Sequence, residues 1–385
     1  MKIAVDISQI VYTGSGVARY TTNLVKSLCK YDTTNKYTFF FSSLRGKLPK
    51  EIEKLILVKH QLVKLKIPPT VLDFVWNRLH IVPIETFVGP QDIFISSDWT
   101  QPPTKAKKVT IIHDLIAYKY PDELHPKTEF TVRSLNLSSN IVAIQKRRLN
   151  WVKREVDCII ADSKATKKDI IEFLKIDSNK IRVVYPACPP LPAALGTGRR
   201  AVEIHKTTSP KKASQRPYIL TVGKLEPRKN IARLIEAFIV VDLRDIDLLI
   251  VGAKGWDTEK HAIPSNIKFL GFVPDEELYD LYCNALFFIY PSLYEGFGYP
   301  VVEAMSLGCP VATSNTSSLK EIAEGAALLF DPTSVQEIEN TIMKLAHDEK
   351  LRRELIKKGR ERVDKFNIEK YSQSLLKILE LIVSF

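Results

Sequence analysis

The chain has 385 residues, of which 45% are apolar and 26% charged, with a net charge of +12. This length exceeds what one compact core normally uses, so we expect two domains of ordinary globular composition. No run of roughly 18 apolar residues occurs, which argues against a membrane-spanning helix. The start, MKIAVDISQI, lacks the pattern of a signal peptide, and the five scattered cysteines form no Cys-x-x-Cys pair. We therefore expect a cytoplasmic protein without a disulfide framework.

The positive charge is concentrated in the first half of the chain. Residues 1–185 hold 30 Lys+Arg against 18 Asp+Glu, and residues 186–216 hold 6 against 1. Residues 217–385 hold 20 against 25. Such a basic half could face nucleic acid, an anionic membrane or a phosphorylated substrate, or it could be ordinary solvated surface.

The first half alternates short apolar runs with helical periodicity. IAVDI is followed by the helical pattern GVARYTTNLVKSL, and further apolar runs follow in YTFFFSS, DIFISSD, KVTIIHD, CIIAD and IRVVYP. Continuous apolar runs separated by helices are typical of a parallel sheet covered on both faces. We predict a Rossmann-like domain over residues 1–185.

A second alternation follows a linker. Residues 186–216 are rich in proline and basic residues and have no period, which predicts a linker or an exposed loop. From YILTVGK onward, apolar runs and helical patterns alternate again to residue 365, and residues 366–385 contain an amphipathic helix that could pack on either domain. The predicted fold class is α/β, with two doubly wound domains that bind ligands at the carboxyl ends of their strands.

The stretch YPSLYEGFGYPVVEAMSLGCPV, residues 290–311, combines two glutamates with a glycine-rich turn at the start of a helix. The backbone N–H groups of Phe297, Gly298 and Tyr299, together with the helix dipole, predict a phosphate site. Glu303, about one turn into the helix, could accept hydrogen bonds from a ribose, and Glu295 would face the group beyond the phosphates. The alternative is an ordinary helix start with an acidic residue that complements the dipole.

A basic loop follows another predicted strand of the same half. In ILTVGKLEPRKNIARLIEAF the strand ends near Gly223, and Lys224, Arg228 and Lys229 precede the next helix. Three cations at the carboxyl end of a strand could neutralise a diphosphate as its sugar departs. An exposed basic turn is the alternative.

These segments resemble the retaining glycosyltransferases of family 4. The resemblance covers nearly the whole chain and is most specific in VGKLEPRKN, GFVPDEELYDLYCNA and PSLYEGFGYPVVEAMSLGCPVATSN. It implies the GT-B fold, in which two Rossmann-like domains face each other across a cleft. It also implies that Glu303 binds the donor ribose, that Glu295 meets the donor sugar, and that Lys224 and Lys229 grip the diphosphate. Lys224 departs from the arginine or threonine of many relatives, and Lys320 stands where proline is usual.

The first half contributes two further candidates. The loop YTGSGVARY has Arg19 where the G-x-G-x-x-G pattern requires glycine, so the dinucleotide fingerprint is absent. The resemblance implies that Gly16 approaches the donor phosphates and the acceptor. It also implies that His113, which follows KVTII, orients the donor sugar, although a lone histidine at a strand end is more often structural.

We predict a retaining hexosyltransferase of polysaccharide synthesis that uses a nucleotide-sugar donor. Resemblance to bacterial mannosyl- and rhamnosyltransferases makes GDP-mannose the leading donor, followed by UDP-glucose. It also implies front-face attack on the donor by a glycan or lipid-linked acceptor. No cofactor and no metal ion are expected, because lysines supply the positive charge and no ligand spacing is present. The alternatives are a nucleotide-sugar epimerase and a non-enzymatic protein that binds nucleotide sugars or nucleic acid. No nucleic-acid reader motif is present, so we expect no nucleic-acid partner.

A basic segment predicts a further partner. In QKRRLNWVKR, the cations around Trp151 are Lys146, Arg147, Arg148, Lys153 and Arg154, and helical spacing puts Arg147, Trp151 and Arg154 close to one face. Cations beside an aromatic ring suit the headgroup region of an anionic membrane, so we predict peripheral binding at its inner face. The alternative is a buried Trp151 with solvated charges around it.

Overall fold

The computed structural model describes residues 1–12, 14–124, 141–188, 214, 216–252 and 263–383. The chain divides into two compact units. Unit 1 comprises Met1–Ala187 and Asn367–Phe385, and unit 2 comprises Cys188–Phe366. Most of the predicted linker, residues 186–216, lies outside the described residues.

The described part of unit 1 contains a seven-stranded parallel sheet in the order β3-β2-β1-β4-β5-β6-β7. Its strands are β1 (Lys2–Asp6), β2 (Lys36–Ser42), β3 (Gln61–Leu65), β4 (Ile93–Ser96), β5 (Lys107–Ile112), β6 (Cys158–Ala161) and β7 (Ile181–Val183). Its helices are α1 (Gly16–Tyr31), α2 (Lys50–Leu57), α3 (Pro69–Leu72), α4 (Glu85–Val88), α5 (Ile116–Lys119), α6 (Ile141–Glu155), α7 (Lys164–Asp169) and α14 (Ile368–Val383).

The sheet of unit 1 is buried on both faces, as its continuous apolar runs predict. Ile3 and Val5 of β1 point into one apolar core, and Ala4 between them points into another. Alternate residues of a strand face opposite sides, so most consecutive residues of such a strand are apolar.

Helix α14 packs on unit 1. Tyr371, Leu375 and Leu379 join the same core as Ile3 and Val5. The Ser372 and Ser27 hydroxyl oxygens are 2.5 Å apart, in a buried hydrogen bond that ties α14 to α1. The sequence left open which domain the last helix would join, and these contacts answer it.

Unit 2 contains a six-stranded parallel sheet in its described part, in the order β10-β9-β8-β11-β12-β13. Its strands are β8 (Tyr218–Val222), β9 (Asp247–Val251), β10 (Ile267–Gly271), β11 (Phe287–Tyr290), β12 (Val311–Ser314) and β13 (Leu328–Phe330). Its helices are α8 (Ile231–Val241), α9 (Asp275–Asn284), α10 (Tyr299–Ser306), α11 (Ser317–Ala323), α12 (Val335–His347) and α13 (Glu349–Val363).

The order of unit 2 places β8 beside β11 at the centre of the sheet. The chain order reverses there, and loops that leave neighbouring strands at such a point diverge and make room for a ligand. The basic loop after β8 and the glycine-rich turn after β11 therefore meet. No helix in the described part of the chain is long and apolar enough to cross a membrane.

Candidate functional site

The loops after β8 and β11 are joined by a cluster of polar contacts around Glu295. Its Oε1 accepts hydrogen bonds from Lys229 Nζ at 2.5 Å and from Arg228 Nη1 at 3.2 Å. It also accepts one from the Tyr290 hydroxyl at 2.9 Å and one from the Ser292 hydroxyl at 2.7 Å. One carboxylate oxygen therefore holds the two loops together.

The charges of this cluster perturb its titration. Burial by itself would raise the pKa of Glu295, but the positive charges of Lys229 and Arg228 lower it to about 2. Burial lowers the pKa of Lys229 from its ordinary value, and the Glu295 carboxylate opposes that effect. Glu295 is therefore an anion at neutral pH.

Lys229 retains donor capacity for a ligand. Its ammonium group donates to Glu295 and, at 2.8 Å, to the Tyr290 hydroxyl oxygen. An ammonium group has three N–H donors, so among the described residues these two bonds leave a third N–H for a phosphate oxygen. The sequence analysis did not single out Tyr290 and Ser292, although they lie in the YPS stretch shortly before Glu295.

The turn after Glu295 is fixed by two serines of the α11 region. The Ser317 hydroxyl accepts a hydrogen bond from the Glu295 backbone N–H at 3.0 Å. The Ser318 hydroxyl lies 2.9 Å from the Glu295 carbonyl oxygen and 2.8 Å from that of Phe297. Gly298 then caps α10 with φ of 109°, a conformation that glycine adopts without a steric penalty. A Cβ atom there would also lie 2.7 Å from Leu319 Cδ2.

Glu303 lies in the middle of α10 and is almost wholly buried, with 2% of its surface exposed. Phe297 and Tyr299, at the start of the same helix, are also buried. The structure therefore places Glu295, Phe297, Gly298, Tyr299 and Glu303 on one continuous turn and helix.

Lys224, by contrast, is exposed in the loop after β8. The backbone of this loop packs closely against the end of β9. A Cβ atom on Gly252 would lie 2.0 Å from the Gly223 carbonyl oxygen, so glycine at position 252 permits the contact. Gly252 also carries a φ of 149°. The sequence analysis missed Gly252, which its position at the end of DLLIVG could have signalled.

In unit 1, His113 is paired with an acid from the neighbouring strand. Its Nδ1 lies 2.7 Å from Asp162 Oδ2, and the ring of Tyr20 packs edge-on against the imidazole at 4.7 Å between centroids. Burial alone would lower the pKa of His113, but Asp162, with smaller contributions from Asp98 and Asp114, raises it to about 9. His113 is therefore an imidazolium at neutral pH.

Asp162 was missed in the sequence analysis, yet a signal was present. The register pairs Ile112 with Ala161, so His113 and Asp162 each follow the end of adjacent strands β5 and β6. The other carboxylate oxygen of Asp162, Oδ1, is buried without a hydrogen-bond partner among the described residues.

Gly16 begins α1, where the Ser15 hydroxyl caps the helix by accepting from the Ala18 backbone N–H at 3.2 Å. Gly16 and His113 belong to unit 1, whereas Lys229 and Glu295 belong to unit 2. That these two sets form one site stays a prediction, as do the individual roles assigned to their members.

Unit 1 also contains a cavity of about 250 Å³ at the carboxyl edge of its sheet. Asp6, Ser42 and Thr100 line it together with the aromatic side chains of Tyr12 and Trp99. Asp6 accepts hydrogen bonds from the Ser8 backbone N–H and hydroxyl, and burial raises its pKa. Hydroxyl groups, a carboxyl group and aromatic rings are the groups that carbohydrates engage. The sequence analysis did not single out this set.

The sequence of α6 suggests an exposed basic surface, but part of this segment is buried in unit 1. Arg148 is fully buried and donates to Asp98 Oδ1 at 3.0 Å and to Thr110 Oγ1 at 2.8 Å. Trp151 donates its indole N–H to the Asn77 carbonyl oxygen at 2.9 Å. The prediction that Arg148 faces a membrane is therefore wrong, because its charge is used to neutralise Asp98 inside unit 1.

Within the described ranges, no group of three or more His, Cys, Asp or Glu side chains is arranged to hold a metal ion. Metal independence stays a prediction.

The chain is similar to a known protein family and to two known mannosyltransferases. Residues 204–362 match the family described as glycosyl transferases group 1. The O-antigen chain mannosyltransferase B of Escherichia coli is 27% identical over 401 aligned residues, which cover 99% of this chain and 100% of that protein. The O-antigen chain mannosyltransferase RfbU of Salmonella typhimurium is 26% identical over 251 residues, or 63% of this chain and 62% of that protein.

Comparison with solved structures supports the fold class. The sucrose-phosphate synthase of Thermosynechococcus elongatus superposes with a TM-score of 0.71 at 19% identity. The match covers 100% of this chain and 99% of that one. Together with the two parallel sheets, it confirms the prediction of a GT-B fold with two α/β domains.

Proposed function

We propose, on the premise that residues 204–362 match the family of glycosyl transferases group 1, that the protein is a retaining mannosyltransferase of bacterial polysaccharide synthesis. The donor in this proposal is GDP-mannose, and the acceptor is a hydroxyl of a glycan or of a lipid-linked saccharide. The O-antigen mannosyltransferase that matches this chain over its whole length supports the choice of mannose. The single observation that carries the proposal is the cluster formed by Lys229, Arg228 and Glu295 at the start of the glycine-rich turn.

The cluster has the chemistry to accept a departing diphosphate. Lys229 and Arg228 supply positive charge, and the backbone N–H groups at the start of α10 add the positive end of a helix dipole. Charge on the leaving phosphate grows in the transition state, so cations fixed in advance lower the barrier. Glu303, in the same helix, is then the acceptor of the ribose hydroxyls.

The state of Glu295 favours a reaction without a covalent sugar–enzyme intermediate. Its charge is neutralised by Lys229 and Arg228, and its Oε1 accepts four hydrogen bonds. A carboxylate held this way is a weak nucleophile, because attack would break those bonds. The weak nucleophilicity of Glu295 supports direct attack by the acceptor hydroxyl on the anomeric carbon of the donor, from the face that the diphosphate leaves. The leaving phosphate then takes the proton of that hydroxyl.

The cavity of unit 1 supports a carbohydrate acceptor. Asp6 and Thr100 offer polar groups, and Tyr12 and Trp99 offer aromatic surface. His113, as an imidazolium held by Asp162, can donate a hydrogen bond to an oxygen of the donor sugar.

A panel of nucleotide sugars tests the donor proposal. Thermal shift and donor hydrolysis without acceptor should both be strongest with GDP-mannose, ahead of UDP-glucose. Stabilisation by UDP-glucose alone, with no response to GDP-mannose, would overturn the choice of donor and leave the transferase proposal standing.

We further infer that the protein works at an anionic membrane surface. The strongly basic first half of the chain supports this, because an acceptor carried on a lipid phosphate lies at such a surface. The sequence suggested a membrane contact through α6. Arg148 of that helix is buried, so residues other than Arg148 must contact the membrane.

A further inference from the structure

Arg148 of α6 has no surface exposed to solvent. An arginine side chain is rarely buried completely, and a buried ion pair contributes little net stability, because the desolvation of both charges opposes their attraction. An apolar side chain of similar volume often fills such a space at no greater cost in stability. The presence of this guanidinium inside unit 1 therefore calls for an explanation other than packing.

The guanidinium of Arg148 anchors the end of strand β5. Its Nη2 donates to the Thr110 hydroxyl oxygen at 2.8 Å and to the Ile111 carbonyl oxygen at 2.9 Å. Thr110 and Ile111 stand three and two positions before His113, which directly follows β5. A planar guanidinium carries its N–H donors in a rigid fork, so bonds to two successive residues fix the chain at that point. Arg148 thereby limits where the His113 ring can lie.

Helix α6 also holds Asp98, which lies just after β4. Arg148 Nη1 donates to Asp98 Oδ1 at 3.0 Å, and Gln145 Nε2 donates to the Asp98 carbonyl oxygen at 2.8 Å. Gln145 and Arg148 are three residues apart, so they lie on one face of the helix. The backbone and the carboxylate of Asp98 are therefore both fixed by the same helix face.

Side chains from other elements of unit 1 hold His113 as well. Asp162, after β6, lies 2.7 Å from His113 Nδ1, and Tyr20 of α1 packs edge-on against the imidazole. The Thr166 hydroxyl of α7 donates to the His113 carbonyl oxygen at 3.2 Å. The ring of Tyr371, on α14, packs edge-on against Tyr20 with 5.9 Å between centroids. These contacts fix the ring and its carbonyl group, and α6 fixes the strand that precedes them.

Three carboxylates interact electrostatically with His113, namely those of Asp162, Asp98 and Asp114. Burial lowers the pKa of His113, and these carboxylates raise it to about 9. Burial raises the pKa of Asp98, and the positive charge of Arg148 is the largest of the effects that oppose this rise. Arg148 therefore favours the ionised form of Asp98, which in turn favours the imidazolium form of His113.

We propose that Arg148 is a positioning residue for His113, which it holds in place through the end of β5 and keeps charged through Asp98. This inference rests on the proposed function in one respect, namely that the His113 imidazolium donates a hydrogen bond to an oxygen of the donor sugar. A small displacement of a group that orients a substrate slows the chemical step. Arg148 therefore acts on the reaction through its neighbours.

NMR titration of the His113 imidazole tests the proposal without any substrate. Asp98→Asn keeps the shape of the side chain and an oxygen acceptor but removes the charge, so the pKa of His113 should fall below its wild-type value of about 9. Arg148→Met should shift the pKa of His113 in the same direction, because Asp98 without its cation takes up a proton more readily. Arg148→Lys keeps the positive charge and should leave the pKa of His113 closer to that of the wild type.

Donor hydrolysis separates the effect of position from the effect of charge. The single nitrogen of a lysine cannot reproduce the fork of Arg148, so Arg148→Lys should lose the anchor of β5 although it keeps the charge. Its kcat for GDP-mannose should fall about ten-fold or more, with a smaller change in KM. In Asp98→Asn, the pH above which the rate declines should move down together with the pKa of His113.

Arg147→Gln is the matched control, because Arg147 is the neighbouring residue of α6 but pairs with Asp73 at 2.9 Å. It should titrate and hydrolyse the donor like the wild type. Circular dichroism identifies the folded variants, and Asp98→Asn decides the outcome where Arg148→Met does not fold. An equal shift in Arg147→Gln would overturn the proposal. So would an unchanged pKa of His113 in Asp98→Asn.

The positioning role and the proposed function can fail separately. A wild type that hydrolyses GDP-mannose, with Arg148 and Asp98 variants that change neither the pKa of His113 nor the rate, would end the positioning role alone. A wild type that acts on no nucleotide sugar would end the transferase proposal. The positioning of His113 by Arg148 would then still stand if the variants shift the pKa of His113 as expected.

Discussion

Lys229 and Glu295 form a nearly buried ion pair in unit 2, with 2.5 Å between Nζ and Oε1 and about 12% of each side chain exposed. The pair links the loop after β8 to the turn after β11. Both loops come from the central strands of the sheet, so the pair orders the two segments that we assign to the donor.

Replacement of Glu295 by glutamine should strongly destabilise unit 2. The change leaves Lys229 and Arg228 without their carboxylate, and the loss of one partner of a buried pair costs about 3–5 kcal/mol. Chemical denaturation measures the free energy of unfolding. Glu53→Gln is the matched control, since Glu53 and Lys64 pair at the same 2.5 Å but their side chains are 31% and 49% exposed. Its cost should be at most about 1 kcal/mol.

The contribution of Glu295 to stability should depend on acid pH. Its pKa falls from an ordinary value of 4.5 to about 2 in the folded protein. A lowered pKa stabilises the fold fully above pH 4.5, and the contribution is lost as the pH falls toward about 2. The difference in unfolding free energy between the wild type and Glu295→Gln should therefore shrink across that interval. A difference that stays constant from pH 6 to about 2 would contradict the ion pair.

His113 should titrate far above an ordinary histidine. In the wild type, NMR of the imidazole should give a pKa of about 9, and Asp162→Asn should lower the pKa because burial would then meet less opposition. A raised pKa stabilises the fold below the ordinary value of 6.5, and the contribution is lost as the pH rises through about 9. An unchanged pKa of His113 in Asp162→Asn would remove Asp162 as its partner.

Much of this architecture could be predicted from the sequence, and the failures have a common cause. The continuous apolar runs predicted the parallel sheets, because a strand covered on both faces has few positions open to solvent. The glycine-rich turn and the two glutamates were found because the whole motif is local. Helical spacing put Arg147, Trp151 and Arg154 near one face. Helical spacing could not show that Arg148 is buried, because Asp98, the partner of Arg148, is distant in the sequence. The pairing of His113 with Asp162 was missed for the same reason.

Glu303→Gln should weaken binding of free GDP as well as of GDP-mannose. If Glu303 accepts hydrogen bonds from the ribose, the loss of its charge should cost about 1.5–3 kcal/mol for both ligands. Calorimetry measures the two affinities, and circular dichroism checks that the variant is folded, since Glu303 is buried. Unchanged GDP affinity in a folded variant would exclude Glu303 from the nucleotide site.

Transfer should continue in the presence of EDTA. In our account Lys229, Arg228 and the α10 N-terminus neutralise the diphosphate, so a divalent cation is not required. Lys229→Ala should lower kcat more than it raises KM for the donor, because the leaving-group charge develops in the transition state. An enzyme that EDTA inactivates and magnesium or manganese restores would overturn the role of the lysine.

The central claim is retaining transfer of a hexose from a nucleotide sugar, and proton NMR of the reaction tests it most directly. With GDP-mannose and a mannose-terminated acceptor, the first product should be an α-mannoside, formed together with an equal amount of GDP. A β-mannoside as first product would contradict retention of configuration. An epimerised donor with no new glycosidic bond would contradict the transferase itself.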